Sequence, residues 1–331
     1  MKIVVFFNNK GGVGKTSLVY HLSWMYADPG YQVVAADLDP QANLTTMFLA
    51  DNTLEDLWDD GDQATTVFRA VSPLLGVGDV VEPLPVRVHD RLDLIVGDIG
   101  LSAFEDPLSE QWTRCLAGDL RAFHVISAFY RVLRQAAESQ EADVVLVDVG
   151  PNLGAINRAA VIAADFIVIP VTADLFALRG LINLGPSLRD WQRGWRKRLD
   201  EFHEKHQDVI PLPTGSMKPA GYIAMQHAIH SGRPVKAYMR WMERIPGVYR
   251  EHVLADSTIA PTSVDHDEHC LASLKHYRSL MPMAQEARKP IFHLTSADGA
   301  LGAHTYAVKD CRRDFASLAR SLAKRCSLTS K

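Results

Sequence analysis

Six short apolar runs recur along the chain: Ile3–Phe7, Val33–Ala36, Leu92–Val96, Val144–Val147, Phe166–Ile169 and Tyr222–Met225. They read as strands covered on both faces, since a strand with one solvated face would alternate apolar and polar residues instead. Ile291–Leu294 is predicted as a seventh strand. The intervening segments Gly14–Ala27, Arg121–Gln140, Leu153–Ala163 and Leu181–His203 carry helical periodicity. Alternating strands and helices predict an α/β fold: a doubly wound, mostly parallel sheet flanked by helices. Asp28-Pro29-Gly30 separates the first helix from the second strand. Residues 51–90, rich in Asp, Thr, Pro and Gly, and residues 101–120 are predicted as helical and loop excursions outside the sheet. A single domain over residues 1–331 is expected.

Composition narrows the class. The 331 residues are 47% hydrophobic, enough for a full core, and 35 basic against 39 acidic residues give a net charge of −4. Any contact with nucleic acid therefore needs a local basic patch. Cys115, Cys270, Cys311 and Cys326 form no CxxC pair, which fits neither a disulfide nor a zinc framework and suits a reducing cytoplasm. The apolar N-terminal run is cut short by Asn8-Asn9-Lys10, so it reads as a first strand and not as a secretion signal. No apolar run reaches the length a membrane-spanning helix needs.

The segment Asn9-Lys10-Gly11-Gly12-Val13-Gly14-Lys15-Thr16-Ser17 follows a predicted strand and opens a predicted helix. Phosphate oxygens need several N–H donors at close range; Gly11, Gly12 and Gly14 leave the backbone bare for that approach and permit positive φ. The following helix adds the positive end of its dipole. Lys15 is placed to reach the β- and γ-phosphates, and the Thr16 hydroxyl to bind Mg²⁺. Asn9 stands where the common phosphate-loop pattern has its first glycine.

The run Lys-Gly-Gly-Val-Gly-Lys-Thr resembles the deviant Walker A motif of the ParA/MinD family of ATPases. The resemblance extends through Asp37-Leu38-Asp39-Pro40-Gln41-Ala42-Asn43, Val144–Asp148, Asp165–Val171 and Phe176–Leu181, and more loosely through Arg91–Glu105 and Glu286–Leu322. ParA-like members that move DNA or other cargo look closest. The resemblance implies ATP and Mg²⁺ as cofactors. It also implies roles: Lys10 reaches the partner subunit's nucleotide, Asp39 orients the attacking water, and Asp37 and Asp148 hold Mg²⁺ through its water shell. Two departures stand out. Val149-Gly150-Pro151 follows Asp148 where the family usually has Thr-Pro-Pro, and Met225-Gln226 lies where the family often has an Asn or Thr against the base.

Two stretches place cations on one helical face: Arg233, Lys236, Arg240 and Arg244, and separately Arg189, Arg193 and Arg196. Either face could hold phosphates of non-specific DNA. The segment Cys311–Lys331 carries an apolar stripe of Phe315, Leu318 and Leu322, predicted to pack on the domain. Asp265–Cys270 is read as a polar loop opening a helix, and neither it nor the pair His203 and His206 as a metal site. Together these features imply an ATPase that dimerises with ATP, binds DNA without sequence preference, answers to a cargo-adaptor or centromere-binding partner and works in the cytoplasm, in association with the nucleoid. A MinD-like membrane-surface ATPase and a regulatory or metabolic ATPase on the same fold are the alternatives.

Overall fold

The computed structural model describes residues 1–59, 65–206, 210–226, 235–257, 263–277 and 279–329. Its strands are β1 (Lys2–Phe6), β2 (Val33–Asp37), β3 (Val86–His89), β4 (Leu92–Ile95), β5 (Val144–Asp148), β6 (Phe166–Thr172), β7 (Lys218–Gln226) and β8 (Cys270–Lys275). They form one sheet in the order β3-β4-β2-β5-β1-β6-β7-β8. Every pairing is parallel except the antiparallel β3–β4 edge. The six anticipated strands are all present.

The strand residues explain the layering. In β2 and β5 every residue is buried, because each face of the sheet meets a helical layer. One face packs on the helices Glu105–Arg114, Leu120–Ile126, Ala128–Ser139, Ala155–Ala163 and Leu175–Lys205. The other packs on Lys15–Ala27, Asn43–Phe48, Leu280–Ala287 and Ala303–Cys326. Phe315, Leu318 and Leu322 are buried in this second core, so the C-terminal helix does pack on the domain. None of the described helices is long and apolar enough to cross a membrane.

Several expectations need correction. Ile291–His293 forms a single tight helical turn, not a strand; its backbone bonds a histidine side chain, with Ile291 N–H donating to His21 Nε2 at 3.2 Å. The last parallel strand is β8 instead. The Asp265–Cys270 cluster begins within the short helical turn Val264–His266 and then runs into that strand, where a polar loop opening a helix was expected. Residues 51–90 do not stay wholly outside the sheet, because Val86–His89 forms its antiparallel edge with alternating half-buried and exposed side chains. The segment Arg121–Gln140 is two helices broken at Ser127, whose hydroxyl donates to Phe123 O at 2.7 Å and draws the chain out of a single helical path.

The long helix Leu175–Lys205 lies backbone to backbone on the turn Tyr249–Leu254. A Cβ added to Gly185 would lie 1.8 Å from the His252 carbonyl oxygen. Only glycine permits that approach.

Candidate nucleotide-binding site

The register of three neighbouring strands builds the site. Phe6 of β1 and Asp37 of β2 both pair with Asp148 of β5, so the carboxyl ends of three strands far apart in sequence finish level. The phosphate loop leaves β1 there. Gly12 and Gly14 adopt positive φ of 70° and 84°, and Gly14 starts the helix Lys15–Ala27 with no side-chain cap on its first N–H groups. Those donors remain open towards the cleft. The Lys15 ammonium folds back over the loop and donates to Asn8 O at 3.2 Å and Lys10 O at 3.4 Å. Burial holds its pKa below the ordinary lysine value, against the opposing pull of the Asp148 and Asp39 charges. A cleft of about 450 Å³ opens over the loop, bounded also by Asp39, Asn43, Thr46 and Pro151.

The two strand-end aspartates are used differently. Both are fully buried. Asp37 is satisfied: Oδ2 accepts from Thr45 N and Thr45 Oγ1, each at 2.8 Å, and Oδ1 from Asp39 N at 3.2 Å. Thr45 Oγ1 accepts in turn from Gly97 N at 2.8 Å, locking the β2 loop to the end of β4. Neither oxygen of Asp148 makes a hydrogen bond of ordinary length and angle, although the Thr16 hydroxyl lies close by. Burial raises both pKa values; hydrogen bonds from Thr45 and the Asp39 N–H pull Asp37 partly back against the Asp39 charge, while the Asp37 charge raises Asp148 further and nearby Thr16 and Lys15 pull it partly back. Two oxygens without an ordinary hydrogen bond under complete burial, beside a hydroxyl and a phosphate cradle, fit the hydrated shell of Mg²⁺. Asp39 lines the cleft, and its Oδ1 accepts from Gln41 N at 3.0 Å.

Lys10 stands apart from the cradle. Its Nζ lies 2.5 Å from Asp174 Oδ2 and 3.0 Å from Thr172 Oγ1. Burial would raise the Asp174 carboxyl, but hydrogen bonds led by that from Lys10 hold it below the usual range. Asp174 also caps the long helix through Ala177 N at 2.9 Å. Thr45, Thr172 and Asp174 belong to no motif the sequence displays. The one available signal was the Thr-x-Asp spacing before a helical segment, a common N-cap arrangement.

Beside the cleft lies a more apolar pocket that reaches the ends of β7 and β8, bounded by Gly14, Ser17, Met225, Leu274 and Tyr277. His21, on its inner wall, is buried and neutral: Nδ1–H donates to Ser17 O at 2.7 Å, while Nε2 accepts from Ile291 N.

A family profile described as an AAA domain matches residues 1–200. The chain belongs to the ParA/MinD-like family of P-loop ATPases. Among curated relatives it is 32% identical over 242 residues to Protein IncC of Escherichia coli, covering 73% of this chain and 57% of IncC. It is 30% identical over 204 residues to the chromosome partitioning protein ParA of Caulobacter vibrioides, covering 60% of this chain and 67% of ParA. The chain thus spans roughly six-tenths of the length of such relatives. In fold it is similar to the Cyanothece McdA–ATP complex, with a TM-score of 0.64 at 16% identity over 100% of this chain and 98% of that one.

The candidate basic faces fare unevenly. Arg233 lies outside the described residues; Lys236 sits on the helix Val235–Met242 with its side chain undescribed. Arg240 and Arg244 are exposed, each beside the Trp241 ring at 5.6 and 5.3 Å from its centre. Arg189 is drawn off its expected face, because its guanidinium donates to His252 O. Arg193 pairs with Asp190, and Arg196 is exposed. Among the described residues no cluster of metal-ligating side chains occurs; His206 Nε2 lies 2.8 Å from Gly118 O.

Proposed function

We propose that this protein is an Mg²⁺-dependent ATPase whose nucleotide state switches it between a monomer and a dimer, and which positions or partitions DNA or another cargo. The observation that carries the reading is the contrast at the site's centre. Asp148 is buried with neither oxygen in an ordinary hydrogen bond, while Lys15 and the uncapped helix behind Gly14 face the same cleft. Bound Mg²⁺ would neutralise charge developing on the phosphates. Thr16 and Asp148 hold its shell, with Asp37 behind them fixing the loop that carries Asp39. Gly11–Ser17 and Lys15 grip the phosphates, and Asp39 orients the attacking water. The apolar pocket between Met225 and Tyr277 takes the base.

Lys10 supplies the switch. Within one chain it is tied to Asp174 and Thr172; reaching a second subunit's phosphate requires releasing those contacts. The relatives named as partitioning proteins support a role in moving DNA, and exposed Arg196, Arg240 and Arg244 supply cations for its backbone. Alone, these three cations must act against a net charge of −4. A dimer doubles them, so the salt dependence of binding should steepen. A cargo-adaptor or centromere-binding protein would stimulate hydrolysis and release, in the cytoplasm or on the nucleoid. Burial of Phe315, Leu318 and Leu322 weighs against the membrane-surface alternative.

Light scattering of Asp39→Ala with ATP and Mg²⁺, followed by filter binding to duplex DNA at several salt concentrations, tests the reading. The expected outcome is a doubled mass, with duplex binding that strengthens on adding ATP. A monomer with ATP, or a dimer that ignores duplex DNA at low salt, would overturn it.

A further inference from the structure

The loop that follows Asp148 runs past the chemistry. Pro151 forms part of the phosphate cleft's wall, and a Cβ added to Gly150 would lie 3.4 Å from Asp39 Oδ1. Yet Pro151, Asn152 and Leu153 are all exposed. Gly150 itself is buried, but glycine leaves the backbone many conformations, and Gly150 stands where the resembling family usually carries a ring-constrained proline.

The restraint comes from elsewhere. Asn157, on the first turn of the helix Ala155–Ala163, is 1% exposed. Its Nδ2 donates to Gly150 O and Asn152 O, each at 2.8 Å, and to Asn152 Oδ1 at 2.9 Å. Asn152 Oδ1 also accepts from Gly154 N at 2.8 Å. One buried amide thus fixes the loop at two carbonyls and a side chain. Glu105, from the excursion before β5, holds the loop's far end. Its Oε1 accepts from Ala155 N at 2.5 Å and its Oε2 from Ile156 N at 3.0 Å. These two bonds occupy the first N–H groups of that helix.

We infer that Asn157 and Glu105 are positioning residues for ATP hydrolysis: together they hold the Gly150–Asn152 loop against Asp39 and the terminal phosphate in place of the stiffness a proline would give. Neither touches the nucleotide. The loop is aligned before ATP arrives, so their contribution appears when the attacking water must be placed and not when the phosphates are first gripped. Through Glu105 the same loop is bound to the helix Glu105–Arg114, so a partner that moved that helix would alter the hydrolysis rate without reaching the cleft.

The inference rests on the ATPase reading, and the test separates the two. Binding of a non-hydrolysable ATP analogue with Mg²⁺ is measured by calorimetry and single-turnover phosphate release by quenched flow, for the wild type, Asn157→Ala and Glu105→Gln. Expected are analogue affinities within about twofold of the wild type, hydrolysis slowed about tenfold or more by Asn157→Ala, and a smaller slowing by Glu105→Gln. Should Asn157→Ala fail to fold, Glu105→Gln carries the test alone, since it changes one end of the clamp from the half-buried side. Hydrolysis within twofold of the wild type in the folded variants, or affinity falling in step with rate, overturns the inference. A wild type that neither binds the analogue nor releases phosphate overturns the ATPase reading instead.

Discussion

On one side of β6 lie β1, β5 and β2, whose carboxyl ends bring Lys15, Asp148, Asp37 and Asp39 together; on the other lie β7 and β8, which wall the apolar pocket and lead to the helix Val235–Met242. In the first flank each strand end carries its functional groups in its own adjoining sequence, and strand pairing brings those ends together. Asp37 and Asp148 close their strands, Asp39 follows two residues on and Lys15 lies at the end of the loop leaving β1, and parallel register levels those ends. The second is assembled by long-range contacts. Gly185 meets His252, the Tyr222 hydroxyl donates to Asp267 Oδ2 at 2.8 Å, and His21 bonds Ile291. Chemistry is concentrated where strand ends carry their own functional groups, while the flank that shapes the pocket depends on how distant segments pack.

The comparison is tested most severely at the phosphate loop. Lys15→Ala removes the buried cation that faces the phosphates, and ATP affinity is expected to fall about a thousandfold while the melting temperature changes little. Calorimetric titration with Mg·ATP reads the first quantity and scanning calorimetry the second. A parallel loss of folding would mean that the first flank is not independent of the rest.

The second flank should respond to pH in its stability. Burial lowers the His21 pKa from 6.5 to about 4, assisted by His293 and opposed by the hydrogen bond to Ser17. Because the folded state resists protonation, the stability from neutral His21 is complete above pH 6.5 and drains as pH falls towards 4. The full span is about 3 kcal/mol. Urea unfolding at pH 7.5 and 4.5 should show that fall, and His21→Gln should reduce it. An equal fall in the variant would place the acid sensitivity elsewhere.

Gly185→Ala tests the long-range packing directly. Its Cβ would meet backbone, which cannot swing aside, so a loss of about 2 kcal/mol is expected in urea unfolding. The smallest effect is expected at the exposed cations. Replacing Arg240 and Arg244 together by Ala should weaken duplex binding about three- to tenfold at every sequence and flatten its salt slope, as read by filter binding. An unchanged slope would turn attention to Arg193 and Arg196.

What the residues disclosed follows the same division. The six central strands and the whole phosphate loop were readable, because buried parallel strands give unbroken apolar runs and the glycines, Lys15 and Thr16 are contiguous. The edge strand β8 was not. Only Leu271 and Leu274 of Cys-Leu-Ala-Ser-Leu-Lys are buried, so it shows no such run, whereas Ile291–Leu294 does show one yet forms a tight turn against His21. Lys10 was identified, but its tie to Asp174, 164 residues away, carried no trace in local spacing. Nor did the support of Glu105 and Asn157 for the loop after Asp148. Those partners are set by the fold, and their residue types are ordinary in helices and loops.

The central claim is that the cleft over the phosphate loop binds Mg·ATP and that Asp39, at its edge, acts only in the chemical step. Asp39→Ala separates the two directly, with affinity by calorimetry and phosphate release under single turnover measured on the same preparation. The account predicts Mg·ATP affinity close to that of the wild type, with hydrolysis reduced about a hundredfold or more. Phosphate release at the wild-type rate, or loss of ATP binding in the variant, would contradict it.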